Sequence, residues 1–481
     1  MSKIKRFIQT ALTYLAGNIL SKLVTFFLIP LYTNKLTTGD YGDYDVVVTI
    51  ITLLVAVAFF QIWDGMFRMS FDVEDTEDKY GIISICFKGY GIGIFVFTGL
   101  YTILAFILSF DNAVLAYVFG LFFGLQYMYS FAARVFLRNK LFVFSGVVNT
   151  LTIAVVNIVL ILCFHMGVES LYIAQIAGCF LQCLIVEIRL HLISNTFKKP
   201  FDGAKFKAIL KFSVPLCIAT VSYWLLSGFT KIIINSVCGS DENGLFAIAS
   251  SLANVAVIAV NVFQFAWNEM AYLMANEEDR ANTYKKCLDL LFSTVWICCA
   301  AFCAGISIIF PYFVGEAFSG SAVVIPYLMI GVSANAIAGF LGTLFMTEQK
   351  TGFIMVSTFI AAAVNIGLSW LATVHFGLIG AVVVLSVSFF LLMILRVIRV
   401  RQKMGVGMSP IAIFSMLFMV ISVLLYVFDA GWIFNALYIV VLIPCYILIL
   451  KNITGIRFSN LLHRQAAAEG ETETADSQDA D

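Results

Sequence analysis

The sequence predicts an all-α integral membrane protein of about fourteen transmembrane helices, and three observations predict it. Hydrophobic residues make up 61% of the 481 and charged residues 12%, about half the roughly 25% charged share of ordinary soluble domains. Apolar runs of about eighteen residues or more, long enough to cross a hydrocarbon layer of ~30 Å, recur along the chain to its C-terminal region. Lys and Arg collect in alternate connections between those runs, as they do where short loops face the cytoplasm. The formal net charge is zero, so no basic excess points to nucleic acid, and the position of each charge carries the information.

In chain order the spans fall near 11–33, 44–62, 81–109, 112–133, 142–164, 169–190, 209–237, 244–268, 286–310, 322–346, 353–374, 377–398, 408–428 and 431–450. With the N-terminus inside, successive inner segments hold Lys3, Lys5 and Arg6, then Arg68, Lys79 and Lys88, then Arg134, Arg138 and Lys140, then the cluster from Arg189 to Lys211. Arg280, Lys285, Lys286 and Lys350 follow, then Arg396, Arg399, Arg401, Lys403, Lys451, Arg457 and Arg464. The outer connections hold only Lys35. Losing or gaining one span would scramble this alternation, so both termini are expected in the cytoplasm. The first apolar run follows a basic start but is too long for a cleaved signal and lacks a small-residue cleavage site, so it is expected to remain. The acidic cluster Asp72, Glu74, Asp75, Glu77 and Asp78 reads as a solvated inner loop, and Ala466–Asp481 as a disordered acidic tail.

An internal repeat organises the spans. His165-Met166-Gly167-Val168, after helix five, recurs as His375-Phe376-Gly377-Leu378, after helix eleven; Lys140 and Lys350 precede those helices at the same offset, and Arg189 corresponds to Arg399. Val156-Asn157-Ile158 is echoed by Val364-Asn365-Ile366, and Asp40-Tyr41-Gly42 before helix two by Glu242-Asn243-Gly244 before helix eight. Six spans per half is an even number, so the halves share one orientation about an axis along the membrane normal. The expected organisation is an N-terminal lobe (1–198), a C-terminal lobe (199–404), helices thirteen and fourteen (405–455) and a tail (456–481). A substrate path belongs between the lobes, where helices one and seven are equivalent.

Two cations fall inside spans, Lys22 in the first and Lys231 in the seventh. An ammonium near the bilayer midplane costs roughly 2.5–3.5 kcal/mol or more, so each needs a reason. Tyr14, Asn18, Ser21, Lys22, Thr25 and Tyr32 share one side of helix one, and Thr220, Tyr223, Ser227, Thr230 and Lys231 one side of helix seven. Ser250, Asn254, Asn261, Gln264 and Asn268 form a single stripe on helix eight at helical spacing. Such stripes either glue helices together by hydrogen bonds or line a hydrated cavity; three stripes in helices the repeat already places together favour the cavity. Lys231 is close enough to one end of its helix to extend its ammonium to the interface; Lys22 has farther to reach. Asp45, Asp64, Glu187, Glu269 and Asp289 all sit toward helix ends, so the missing counter-charge is expected to be an anionic substrate, with a phosphate or pyrophosphate suited to a point-charge donor. Arg68, at the inner end of helix two, reads equally as a phosphate contact or a headgroup anchor; Arg134 and Arg138 invite the same pair of readings. The eleven cysteines and scattered histidines show no metal-site spacing, so neither metal nor cofactor is expected.

Asn18, Pro30-Leu31-Tyr32 and Leu36-Thr37-Thr38-Gly39-Asp40-Tyr41-Gly42 together resemble the opening of the polysaccharide-exporter branch, the O-antigen flippase type, of the multidrug/oligosaccharidyl-lipid/polysaccharide transporter superfamily. Gly65 and Arg68 with Phe71 resemble the end of that family's second helix, and Gly244-Leu245-Phe246-Ala247-Ile248-Ala249 the start of its second lobe. The resemblance implies a flippase that moves an undecaprenyl-pyrophosphate-linked oligosaccharide across a bacterial cytoplasmic membrane by alternating access. It implies lipid-linked oligosaccharide, membrane lipids and other polysaccharide-assembly membrane proteins as partners. Related lipid II flippases carry cavity-facing cations on the first helix, a role open to Lys22, although lysine in place of arginine removes bidentate recognition. The rival reading is a cation-coupled multidrug antiporter on the same fold, which would favour mid-membrane acids. An enzyme would need an acid, base or nucleophile displayed near one membrane face and ranks below a transporter; a non-transporting scaffold would show no solvent-accessible cavity at Asn254 and Asn261.

Overall fold

The structure, a computed structural model, describes residues 20, 22–73, 75–197, 199–273, 280–347 and 352–454. Among them all regular structure is helical: α1 (22–35), α2 (Thr38–Ala58), α3 (Ile62–Met69), α4 (Thr76–Leu108), α5 (Ala113–Val135), α6 (Asn139–Leu162), α7 (Glu169–Leu190), α8 (Leu192–Thr196), α9 (Gly203–Cys238), α10 (Ser240–Leu273), α11 (Arg280–Phe313), α12 (Ile325–Thr347), α13 (Gly352–Met404), α14 (Pro410–Val427) and α15 (Gly431–Thr454). Short 3-10 turns occupy Ser70–Asp72 and Glu316–Val324. Among the described residues, eleven helical segments are long and apolar enough to cross a membrane, three of them with bounds that differ from those just given.

Local chemistry sets the helix ends. Thr37 caps α2 by accepting from Asp40 N at 3.1 Å, Asp202 caps α9 by accepting from Ala204 N and Lys205 N, and Ser409 caps α14 just ahead of Pro410. These side chains satisfy amide donors that a helix start otherwise leaves open.

A straight α13 of 53 residues would be about 80 Å long, far more than a bilayer. Gly377 interrupts it at φ 59°, ψ −145°, a conformation essentially restricted to glycine. Replacing Gly377 with alanine is expected to cost about 1–3 kcal/mol, read as a lowered melting temperature of the purified protein in detergent.

The second span departs from expectation. Sequence reading predicts one helix over 44–62, but α2 ends at Ala58 and α3 begins at Ile62. Between them Phe60 and Gln61 both take left-handed φ values, 49° and 48°, which non-glycine residues rarely adopt. The break turns Phe59 inward to 1% exposure, stacked on Tyr90 with ring centroids 4.3 Å apart and seated against Gly93 and Gly124. Burying one phenylalanine contributes about 1.5–3 kcal/mol, comparable with the strain of the two left-handed residues.

Contacts divide the chain into two compact units. The first comprises 1–258, 310–332 and 351–392. Its core gathers Ile51, Phe59, Met66, Phe97, Phe119 and Met128, with α7 packed on α5 and α6 around Gln182. That side chain accepts from Gln126 (2.7 Å) and Asn149 (2.6 Å) and donates to Ser130 (2.9 Å), a neutral polar cluster that joins three helices where water is excluded. The second unit comprises 259–309, 333–350 and 393–481. There Trp267 Nε1 donates to Phe340 O (2.9 Å), Arg396 Nη1 to Ala338 O (2.7 Å) and Ser422 Oγ to Ala300 O (2.8 Å).

Candidate functional site

α1 carries Lys22 and Thr25 on its exposed side, at a spacing of three residues that places them on one face. Among the described residues no carboxylate lies within ion-pair distance of Lys22. Asn18, one turn earlier, lies outside the described residues.

Lys231 differs. Its Nζ donates to Asp45 Oδ1 at 2.8 Å, and the two side chains are only 22% and 20% exposed. The expectation that an anionic substrate alone would supply its counter-charge is therefore corrected: α2 supplies it. Asp45 stands about two turns into α2, one turn beyond Gly42, and from there its carboxylate reaches a cation within α9. The second carboxylate oxygen of Asp45, Oδ2, is buried and makes no hydrogen bond in the structure.

The α9 stripe divides between two roles. Thr230 is fully buried and accepts from Asn365 Nδ2 at 3.0 Å on α13, which also reaches Leu226 O at 2.9 Å; these bonds hold helices together. Ser227 Oγ donates back to Tyr223 O at 3.3 Å, and Tyr223 is 47% exposed. Thr220, farther along the same helix, receives a hydrogen bond from Gln61 Nε2 at 2.9 Å. On α10, Asn254 is exposed; the side chain of Asn261 lies outside the described residues; and Gln264 Nε2 donates to Thr343 Oγ1 at 3.2 Å on α12. Asn254 belongs to the first unit and Gln264 to the second.

Arg68 pairs with Asp72 one turn on at 2.8 Å, with side chains 52% and 60% exposed. An exposed pair of this kind contributes little, about 0–1 kcal/mol, and leaves the guanidinium accessible. Arg134 instead lies over Phe67 (4.4 Å), Phe131 (4.8 Å) and Phe142 (5.7 Å), so aromatic faces hold it in place.

The two segments that the repeat pairs meet directly. α2 and α10 cross where a Cβ on Gly42 would stand 1.9 Å from Ser240 O, and a Cβ on Gly244 2.1 Å from Thr38 O. The contact is reciprocal. Asn243 Nδ2 donates to Gly42 O at 2.8 Å, Thr38 Oγ1 donates to Asp241 Oδ1, and Asp43 Oδ1 accepts from Ser240 Oγ (2.6 Å) and Asn235 Nδ2 (3.2 Å). Nearby, Gly315 N donates to Thr33 Oγ1 at 2.9 Å. The Asp45–Lys231 pair lies one turn beneath this crossing.

A family profile described as polysaccharide biosynthesis protein matches residues 7–267, more than half of the chain. The chain belongs to the polysaccharide biosynthesis protein family. Its fold resembles those of two solved membrane proteins. It is similar to the lipid II flippase MurJ in an inward closed conformation, at 13% identity, TM-score 0.67, and coverage of 91% of this chain and 97% of that one. It is similar also to a multidrug resistance MATE family transporter of the MOP superfamily in an inward-facing conformation, at 13% identity, TM-score 0.64, covering 82% and 94%. A MATE structure in complex with MaL6 gives 12% identity and TM-score 0.57, with 82% and 96% coverage. No curated protein matches the chain.

For this member of the polysaccharide biosynthesis protein family, the matched segment includes every residue nominated from sequence, from Asn18 to Gln264. The arrangement offers one exposed ammonium on α1, a second held in an ion pair between α2 and α9, and neutral hydroxyl and amide groups on α9 and α10. These are groups that bind an anion and hydrogen-bond a polar ligand. Sequence reasoning missed Asp43 and the pairing role of Asp45, whose partners lie nearly two hundred residues away. It also missed Gln61, whose position depends on the α2–α3 break.

Proposed function

We propose that the protein is a flippase that moves undecaprenyl-pyrophosphate-linked oligosaccharide across the bacterial cytoplasmic membrane during assembly of a surface polysaccharide. The observation that carries this reading is Lys22: an exposed ammonium on an apolar helix, with no carboxylate partner among the described residues. In hydrocarbon such a charge needs an anion or water, and pyrophosphate supplies the anion. Membership of the polysaccharide biosynthesis protein family and the fold shared with a lipid II flippase support the same substrate class.

In this reading fourteen spans, with both termini cytoplasmic, form two pseudo-equivalent six-helix lobes that rock about a central path, and the α2–α10 crossing lies toward the outer face. Lys22 receives the pyrophosphate while the neutral stripes of α9 and α10, including Ser227, Asn254, Asn261 and Gln264, solvate sugar. Arg68 stands at the inner entrance. Lys231 contributes by exchanging its Asp45 partner for the pyrophosphate. A cation-coupled multidrug antiporter is the second reading, and the Asp45–Lys231 pair favours it, because it places a carboxylate inside a span, the kind of group that holds a cationic substrate or coupling ion.

The test is the leaflet distribution of undecaprenyl-linked oligosaccharide in cells depleted of the protein and then re-supplied with wild type or Lys22→Gln. Accumulation on the inner leaflet, relieved by wild type and at least about tenfold less by the variant, is the expected result; one tenfold step corresponds to about 1.4 kcal/mol of lost anion binding. An unchanged distribution on depletion, in cells with no other flippase, would reject the substrate and leave the antiporter.

A further inference from the structure

Arg134, near the C-terminal end of α5, is half-buried against phenylalanines from three helices. Its guanidinium carbon lies 4.4 Å from the ring centroid of Phe67 on α3, 4.8 Å from Phe131 one turn earlier on α5 and 5.7 Å from Phe142 on α6. Phe67 and Phe131 stand almost at right angles, with 87° between their planes and 6.1 Å between centroids, so the charge rests in a corner. All three rings pack on the buried core of the first unit, which fixes the walls of that corner. The turn after α5 brings in the third ring. Leu137 takes φ 55°, a left-handed conformation strained for leucine. Its N donates to Arg134 O at 2.8 Å and Arg138 N donates to Ala133 O at 2.9 Å, the paired bonds of a Schellman end. Phe142 N then donates to Arg138 O at 3.0 Å, so the first turn of α6 carries Phe142 back to Arg134.

This cage holds the face of a cation and supplies no acceptor for its edge. A guanidinium has five N–H donors in a planar fork; among the described residues no oxygen accepts from Arg134, and the ion pairs present join other residues. Asp64 on α3 acts on Arg134 electrostatically without pairing with it. Arg68, the neighbour of Phe67, is taken up by Asp72. Arg138 and Lys140, just after Arg134, are exposed and have no ion pair among the described residues. Three cations against one acid leave the surroundings positive.

We propose that Arg134, caged by Phe67, Phe131 and Phe142, is a binding site for a phosphate group carried on a lipid at the inner membrane face. Half-buried donors without an acceptor are costly. The rings do not remove that cost, because they attract the charge through their faces and offer no carbonyl or carboxylate oxygen to the fork. Phosphate oxygens match the fork bidentately. The cage also orders the side chain before any ligand arrives, which lowers the cost of binding. The alternation of cations along the chain puts this end of α5 on the inner side, at the level of lipid headgroups, which favours a lipid phosphate over a soluble one. Arg138 and Lys140 add attraction for an anionic lipid. For a bilayer lipid the site stands without the flippase reading. For the pyrophosphate of a lipid-linked oligosaccharide it rests on that reading.

The test is native mass spectrometry of the full-length protein released from detergent and titrated with four probes. Phosphatidylglycerol and undecaprenyl pyrophosphate carry phosphate on a lipid, dioleoylglycerol has tails without phosphate, and inorganic pyrophosphate has no tail. Wild type is expected to bind phosphatidylglycerol more tightly than dioleoylglycerol. Arg134→Gln is expected to weaken phosphatidylglycerol about tenfold with dioleoylglycerol unchanged. Arg134→Lys keeps a cation against the rings, and so keeps the fold if the glutamine variant does not, but it lacks the fork and is expected to weaken phosphatidylglycerol at least about threefold. Weakening of undecaprenyl pyrophosphate alone would support the site with the transported lipid as its source; weakening of both phospholipids would support it with membrane headgroups included. Unchanged binding of both in a folded Arg134→Gln, equal weakening of dioleoylglycerol, or wild-type binding by Arg134→Lys would overturn the bidentate site. Loss confined to inorganic pyrophosphate would overturn a lipid as its ligand. The flippase reading stands in each of these failures, because Lys22 carries it.

Discussion

Lys231→Met is expected to destabilise the protein by about 3 kcal/mol, the lower end of the range for breaking a buried ion pair by removing one partner. The lower end applies because the Lys231 and Asp45 side chains keep 22% and 20% of their surface exposed, so some water remains to solvate the orphaned carboxylate. The cost arises from Asp45, whose Oδ2 is already buried without a hydrogen bond and whose Oδ1 would lose its donor at 2.8 Å. Combining Lys231→Met with Asp45→Asn is therefore expected to recover most of the loss, because no unpaired charge is left in the protein. Thermal unfolding of the two single variants and the double variant closes the cycle, and a double variant no better than Lys231→Met would mean the pair is not the source of the cost. Asp45→Asn alone carries the functional information. It releases the Lys231 ammonium from its internal partner, so binding of an anionic lipid is expected to tighten if Lys231 exchanges Asp45 for pyrophosphate. Unchanged anion binding would confine Lys231 to a structural role and leave Lys22 as the anion site.

The membrane class was readable from composition because bilayer spans leave a one-dimensional record: a run of apolar residues has to be as long as the hydrocarbon is thick. Among the described residues eleven helices meet that condition, and the conformation of Gly377 falls at a turn already marked by the His375-Phe376-Gly377-Leu378 repeat. The α2–α3 break left no such record. Phe60 and Gln61 are neither glycine nor proline, and the turn is imposed by where Phe59 packs, which involves α4 and α5. The polar stripes were legible as faces but not as roles. Thr230 and Tyr223 belong to one sequence pattern, yet Thr230 is sealed against Asn365 and Tyr223 is exposed, because a stripe wider than one contact line must divide between a neighbour and open space. The Asp45–Lys231 pair was hidden for a different reason: charge position along a helix says how deep a residue lies, not which helix lies beside it. The repeated Asp-Tyr-Gly and Glu-Asn-Gly segments did hold that adjacency, since they meet at Gly42 and Gly244.

Gly42→Ala is expected to part α2 from α10 at their crossing and to shift the protein away from the conformation described here. A Cβ at position 42 would stand 1.9 Å from Ser240 O, 2.8 Å from Gly244 N and 2.9 Å from Ser240 C. All three are backbone atoms, so no rotamer change relieves the clash; the helices have to separate by at least about 1.5 Å to reach ordinary contact. That separation also pulls Asn243 Nδ2 from Gly42 O and Thr38 Oγ1 from Asp241. Cysteines placed at Thr38 and Asp241, in a background without the exposed Cys163, report the crossing directly: disulfide formation is expected to be efficient with Gly42 and to fall at least about fivefold, roughly 1 kcal/mol of lost closed population, with Gly42→Ala. Gly244→Ala meets Thr38 O at 2.1 Å and is expected to do the same. Because one separation accommodates both methyl groups, the double variant is expected to cross-link no worse than either single one, a non-additivity that distinguishes a shared helix crossing from two independent packing defects. Additive losses would mean that each glycine accommodates its own local neighbour, and the reciprocal contact would then not act as one gate. If the crossing is the outer closure of an alternating-access cycle, Gly42→Ala is also expected to raise labelling of Lys231→Cys by a membrane-impermeant thiol reagent, measured with Asp45→Asn present in both proteins so that no orphaned carboxylate contributes, since position 231 lies beneath the seal.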